Sequence, residues 1–207
     1  MRAFTAVAVV FLAACGQQLS LQVSIDDSWS RVEEQTILSA LEEWNAKTAA
    51  AKFPDPAFVY QGRLVDQYGE HAFKDERSVI YRAFAMPDIE GTQDSDYGVQ
   101  VGGSGGDVLV NVTNVWPAIG YGAQPDDKIY SEPYSFPPEM DDWGKNNIWE
   151  HYRRRLKIVT LHELGHLVGI EHTDGRRSRG IMNGGYSDRY NELQPADIEA
   201  FCHLHGC

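Results

Sequence analysis

Beyond its first fourteen residues the chain has no apolar run long enough to cross a bilayer, so residues 15–207 predict no membrane-spanning helix. Positive charge is scarce: 18 Lys and Arg stand against 30 Asp and Glu, a formal net charge of −12. Such a surface repels phosphate backbones and anionic headgroups, which argues against nucleic acid and against a polybasic membrane contact. Cysteine is rarer still, with three in 207 residues, and the two outside the N-terminal segment, Cys202 and Cys207, do not make a metal site by spacing alone. The stretch from Met86 to Gly106 is rich in Gly and Asp, and its Asp88, Glu90, Asp94 and Asp96 lack the EF-hand spacing, so it reads as a solvated loop; calcium is possible but unsupported.

What is present at the start is an export segment. In MRAFTAVAVVFLAAC one positive charge, Arg2, precedes an apolar run from Ala6 to Ala14. Leu12-Ala13-Ala14-Cys15 resembles the lipobox of bacterial lipoproteins, in which the peptide is cut before the cysteine and the cysteine carries the lipid. The expectation is a lipoprotein signal peptide at 1–14 and one domain at 15–207, exported and anchored at Cys15 to the outer membrane or cell surface; the alternative is a plain secretory signal. The residue after the cysteine is Gly16 rather than an aspartate, which favours the outer location. Removing Arg2 with the signal leaves a net charge of −13.

The remaining residues suffice for one packed domain. Leu19 to Ile25 alternates apolar and polar and reads as a strand. Ser28 or Ser30 can cap the next helix, with Glu33 completing a capping box from Ser30. That helix runs to about Ala50, places Val32, Ile37, Leu38, Leu41 and Trp44 on its apolar side, and is ended by Pro54 and Pro56. Further strands fall at 57–65, 78–85 and 106–112, with His71 on a surface loop between the first two. From Asn114 to Trp143 runs a connection rich in proline and aromatics, which either walls a substrate cleft or packs on the domain. A long helix then begins near Asn146 or Asn147, solvated around Arg153 to Arg155 and apolar nearly all round in its second half. A last helix spans Pro195 to about Leu204, with Gln194 or a neighbour at its cap. Cys202 and Cys207 either bridge in an oxidising compartment or stay as free thiols, and His203 and His205 beside them make a second metal conceivable.

The chemistry concentrates in HELGHLVGIEH, His162 to His172. On a helix His162 and His166 stack one turn apart on one face, close enough to share one metal ion. Gly169 can leave the helix in a left-handed conformation, so that the chain turns back and presents His172 as a third nitrogen ligand. Three histidines with an open fourth position form the catalytic pattern for zinc rather than the structural one. Glu163 puts a carboxylate beside the metal without ligating it. His151, eleven residues ahead of the first ligand, is too far away to join. The five fixed positions arise by accident with odds on the order of 1 in 10,000 or lower, so an ordinary helix with satisfied histidines is rejected.

HELGHLVGIEH followed by IMNGGY and LQPADIEAFCHLHG resembles the metzincin metallopeptidases, and among them the matrixins, over His162 to Gly206. The resemblance implies an α+β, metzincin-like zincin domain: a twisted mixed sheet, a helix after the first strand, a buried active-site helix, a Met-turn and a C-terminal helix. It implies zinc held by His162, His166 and His172, Glu163 as general base, and Met182 as the hydrophobic floor of the Met-turn. Tyr186, four residues after that methionine, stands where a matrixin tyrosine walls the substrate pocket, although Gly184 and Gly185 replace the family's intervening proline pattern. Gly184 also stands where astacin-like and serralysin-like enzymes carry a tyrosine ligand, so that ligand is not expected. No His-rich loop resembles a second zinc site, and no cysteine-switch propeptide is visible. One zinc is therefore expected, with latency imposed by another protein or by metal supply.

The implied activity is hydrolysis of peptide bonds in proteins or peptides outside the cytoplasm, with an extended substrate laid along an edge strand, for which 106–112 is the candidate. The rival from another class is a surface lipoprotein that binds a partner and keeps zinc as a structural pin. A closed structural site wants a fourth protein ligand, and the motif supplies three. A zinc hydrolase acting on something other than peptides is a third reading.

Overall fold

The computed structural model describes residues 19–65, 78–83, 97–101, 106–116, 141–172, 179–183 and 189–207. Five strands form one sheet: β1 (Leu21–Asp26), β2 (Phe58–Leu64), β3 (Ser78–Ala83), β4 (Gly98–Val101) and β5 (Asp107–Asn111). Their order across the sheet is β2-β1-β3-β5-β4. All neighbouring pairs run parallel except β4, which lies antiparallel to β5. The helices are α1 (Arg31–Ala50), the single turn α2 (Val112–Val115), α3 (Asp142–Leu167) and α4 (Pro195–His205). This is the mixed α and β architecture implied by the resemblance.

Alternation along the strands assigns the two faces. Val23 and Ile25 of β1, Ile80 of β3, and Val108 and Val110 of β5 join the main core with α1 and α3. Val79, Tyr81, Ala83 and Leu109 form a smaller cluster on the opposite face. β3 and β5 are buried along their whole length, as parallel strands covered on both sides must be. Their conspicuous polar member is Arg82, which sits 5.9 Å from the Trp29 ring and 3.5 Å from the fully buried Glu33 of α1. Tyr152 of α3 donates its hydroxyl to the same Glu33 Oε1 at 2.5 Å. One charge pair thus ties α1, β3 and α3 together inside the core.

The helix starts and stops have local causes. Ser30 caps α1, its Oγ accepting from Glu33 N while Glu33 Oε2 accepts from Ser30 N, which is the capping box read from the sequence. α1 stops before the prolines: Ala51 closes it and Lys52 turns with φ of 71°, so Pro54 and Pro56 are not its terminators. Ile37, Leu41 and Trp44 are buried, whereas Val32 in the first turn is 45 % exposed.

Three further expectations are corrected. The long helix α3 begins at Asp142, a turn earlier than read, because Asp141 accepts from Gly144 N and supplies a cap. β4 lies within the stretch taken as solvated loop; four residues between glycines were too short to announce a strand. The candidate edge, 106–112, is an inner strand, β5, lying between β3 and β4, so the edge nearest α3 is β4. Val112 already belongs to α2. Cys15, His71, the acidic residues 88–96, Tyr186 and most of the connection from 114 to 143 lie outside the described residues.

Removing one partner of the buried pair strands the other charge in a dry core. Arg82→Ala should lower unfolding stability by about 3–5 kcal/mol in urea titration, and Glu33→Gln combined with Arg82→Met should cost far less than the single change.

Candidate active site

α3 carries the site on its last, buried turns. Leu161, Leu164, Leu167 and Val168 lie in the core, and Trp44 of α1 donates its indole N–H to Leu161 O at 3.0 Å. α1 and β5 therefore hold the helix in place while His162 and His166 emerge from one face. Val168 caps α3, and Gly169 follows with φ of 86°, the left-handed turn that the spacing predicts. Ile170 N then donates back to Gly165 O at 2.9 Å, which fixes the reversal. Two residues on, His172 faces the other two rings.

The three Nε2 atoms are mutually 3.0 Å apart. Their roles follow from the other ring nitrogens. His162 Nδ1 donates to Ile181 O at 2.8 Å, and His166 Nδ1 donates to Ile170 O at 2.7 Å. A carbonyl accepts only, so the proton sits on Nδ1 of both rings and each Nε2 carries a bare lone pair. Two bare nitrogens at this separation form no hydrogen bond with each other; they repel unless a cation lies between. Nitrogens about 2.0–2.1 Å from a tetrahedral zinc stand roughly 3.4 Å apart, close to the spacing found. Among the described residues this is the one group of three or more ligating side chains able to hold a metal ion.

Burial drives His162 down to about 4, and the neighbouring His166 and His172 push in the same direction, against the Ile181 carbonyl. Burial also lowers His166. Both shifts keep the imidazoles neutral, the form that ligates.

Glu163, between the two helical ligands, is buried. Its carboxylate rests against β4, where a Cβ placed on Gly98 would fall 2.8 Å from Oε1. The sequence pointed to Glu163 but not to the strand against which it lies.

Met182 is fully buried against α3. A Cβ on Gly165 would fall 2.2 Å from Met182 Sδ, so the unassigned glycine inside HELGH is what lets the methionine lie against α3. The turn carrying Met182 is held by Asp197, in the first turn of α4. Its carboxylate accepts from Ile181 N at 3.0 Å, Met182 N at 3.1 Å and Gln194 N at 2.8 Å. Because Ile181 in turn receives the His162 proton, Asp197 orients that ligand through the backbone. Asp197 was missed by sequence reading. Its one signal was the capping-box spacing of Gln194 to Asp197.

A match to the family model for matrixins extends over residues 21–206. The chain belongs to the matrixins. It is a zinc metalloendopeptidase, and this zinc-dependent family supplies the metal for which the three histidines are arranged. No curated protein matches the chain significantly. The matrixin domain thus covers nearly the whole chain, its substrates being proteins or peptides.

At the far end of the domain Cys202 and Cys207 are bonded, and between them His205 Nε2 donates to Val168 O at 2.8 Å. The bridge and this tether account for the C-terminal cysteines and His205, and no second metal group forms there among the described residues.

Two outcomes follow. Asp197→Ala leaves three backbone N–H groups without their acceptor and should cost at least about 2 kcal/mol in urea unfolding while weakening zinc retention against a chelator. In metal-free protein, His162 takes a proton in the unfolded chain near 6.5 but in the folded chain only near 4. Unfolded protein therefore binds more protons across that window, so melting temperature should fall as pH drops from about 7 to 4. His162→Gln should flatten the fall.

Proposed function

We propose that this matrixin is an exported endopeptidase in which Glu163 is the general base. The observation that carries the reading is the convergence of three imidazoles beside a buried carboxylate carried by the same helix as two of them. His162, His166 and His172 would hold the zinc. When bound, zinc supplies Lewis acidity, acidifying a water and polarising a carbonyl oxygen. Glu163 accepts the water's proton and returns it to the leaving amine, a transfer worth roughly 10²–10⁴-fold in rate when the group is well placed. Its position against the inner side of β4 keeps the carboxylate beside the ligands and out of their set.

An extended peptide would pair with the outer edge of β4, the outer strand next to α3. Backbone pairing accepts many sequences, so discrimination falls to side-chain pockets, with Tyr186 proposed as a wall of one. We further propose that residues 1–14 are removed as a signal peptide and that 15–207 is a single domain carried by lipid on Cys15 at a bacterial outer membrane or cell surface. The Cys202–Cys207 bond supports an oxidising compartment. The reading of zinc as a mere structural pin is disfavoured by a ligand group of three histidines, which leaves a tetrahedral ion one position for solvent.

Glu163→Gln should retain about one zinc per chain while hydrolysis of an unfolded protein substrate falls by roughly 10²–10⁴-fold; near wild-type turnover would remove Glu163 from the mechanism. His166→Ala should lose zinc in metal analysis, and full stoichiometry would refute the ligand set.

A further inference from the structure

β4 carries a residue whose identity the fold does not require. Glycine within a strand weakens it, since it contributes no side chain and has the most backbone entropy to lose. Gly98 pairs with Val110 in regular antiparallel register. Among the described residues the glycines with positive φ are Gly62, Gly169 and Gly206, so Gly98 adopts a conformation open to any residue. Its backbone gives no reason for a glycine; its surroundings do.

A Cβ at this position would lie 2.8 Å from Glu163 Oε1, 2.9 Å from Glu163 Cγ and 2.9 Å from Val159 Cγ1. Val159 and Glu163 are four apart on α3 and share the face turned to β4. Both are buried. The floppy end of the glutamate could swing aside, but its Cγ and the Val159 methyl are held by the helix. Even a methyl group here must push the carboxylate away from the strand.

We propose that Gly98 is a positioning residue for the general base: the bare Cα at this point of the edge strand fixes where the Glu163 carboxylate rests beside the His162–His166–His172 group. This rests on the assignment of Glu163 as base. The strand that receives the substrate backbone and the surface that seats the carboxylate are then the same residue's two sides. Any side chain at 98 trades strand stability against placement of the base.

The test uses the zinc-loaded protein and a peptide library. Gly98→Ala should lower kcat by roughly 10- to 100-fold with KM changed less than about threefold, since a displacement near 1 Å costs about that much. Zinc content should stay at one per chain. Unchanged kcat in Gly98→Ala or a loss confined to KM would overturn the proposal. If zinc-loaded wild-type protein cleaves no peptide, the peptidase reading fails on its own. Crystal structures then decide: a Glu163 carboxylate displaced from its wild-type position by Gly98→Ala supports the packing claim, and an unmoved one overturns it.

Discussion

Two backbone carbonyls set the character of this molecule. Ile181 O and Ile170 O take the Nδ1 protons of His162 and His166 and leave two bare nitrogens facing each other 3.0 Å apart, with His172 at the same distance from both. Two bare lone pairs this close repel each other and are suited to a cation between them. Burial that disfavours the imidazolium closes the alternative of relieving the repulsion by taking up protons. Tautomer, burial and spacing therefore select the same occupant.

Each carbonyl is itself positioned from elsewhere. Ile170 is placed by the left-handed turn at Gly169, and that turn adjoins Val168, whose carbonyl is braced by His205 of the disulfide-closed C-terminal loop. Ile181 is placed by Asp197, so the first turn of α4 reaches the metal ligands through a chain of backbone hydrogen bonds. α3 is immobilised by Trp44 from α1 and by the sheet below it. Residues that never approach the metal thus determine whether three rings can converge, which is the usual burden of outer-shell partners.

The parts of this arrangement written in short-range pattern were legible in the sequence. HELGHLVGIEH specifies the ligands and their turn through helical periodicity and one glycine. Ser30 with Glu33 specifies the start of α1, whereas the sequence left Cys202 and Cys207 open between a bridge and free thiols, and the structure shows the bridge. What escaped was decided by contacts distant in sequence. β4 is four residues long and has too little alternation to stand out. That β5 lies inside the sheet depends on β4 pairing outside it. Asp197 looked like an ordinary acidic residue in the first turn of a helix, because the N–H groups that it satisfies belong to a turn about fifteen residues earlier. Val32 has helical apolar spacing, yet it stands largely exposed in the first turn of α1.

The central claim is that the three imidazoles of His162, His166 and His172 hold a single zinc with one position left for solvent. X-ray absorption at the zinc edge of the purified protein tests it most directly. The account predicts one zinc with three histidine nitrogens and one oxygen at about 2.0–2.1 Å. A shell containing sulfur, a fourth histidine, or no ordered imidazole would contradict it.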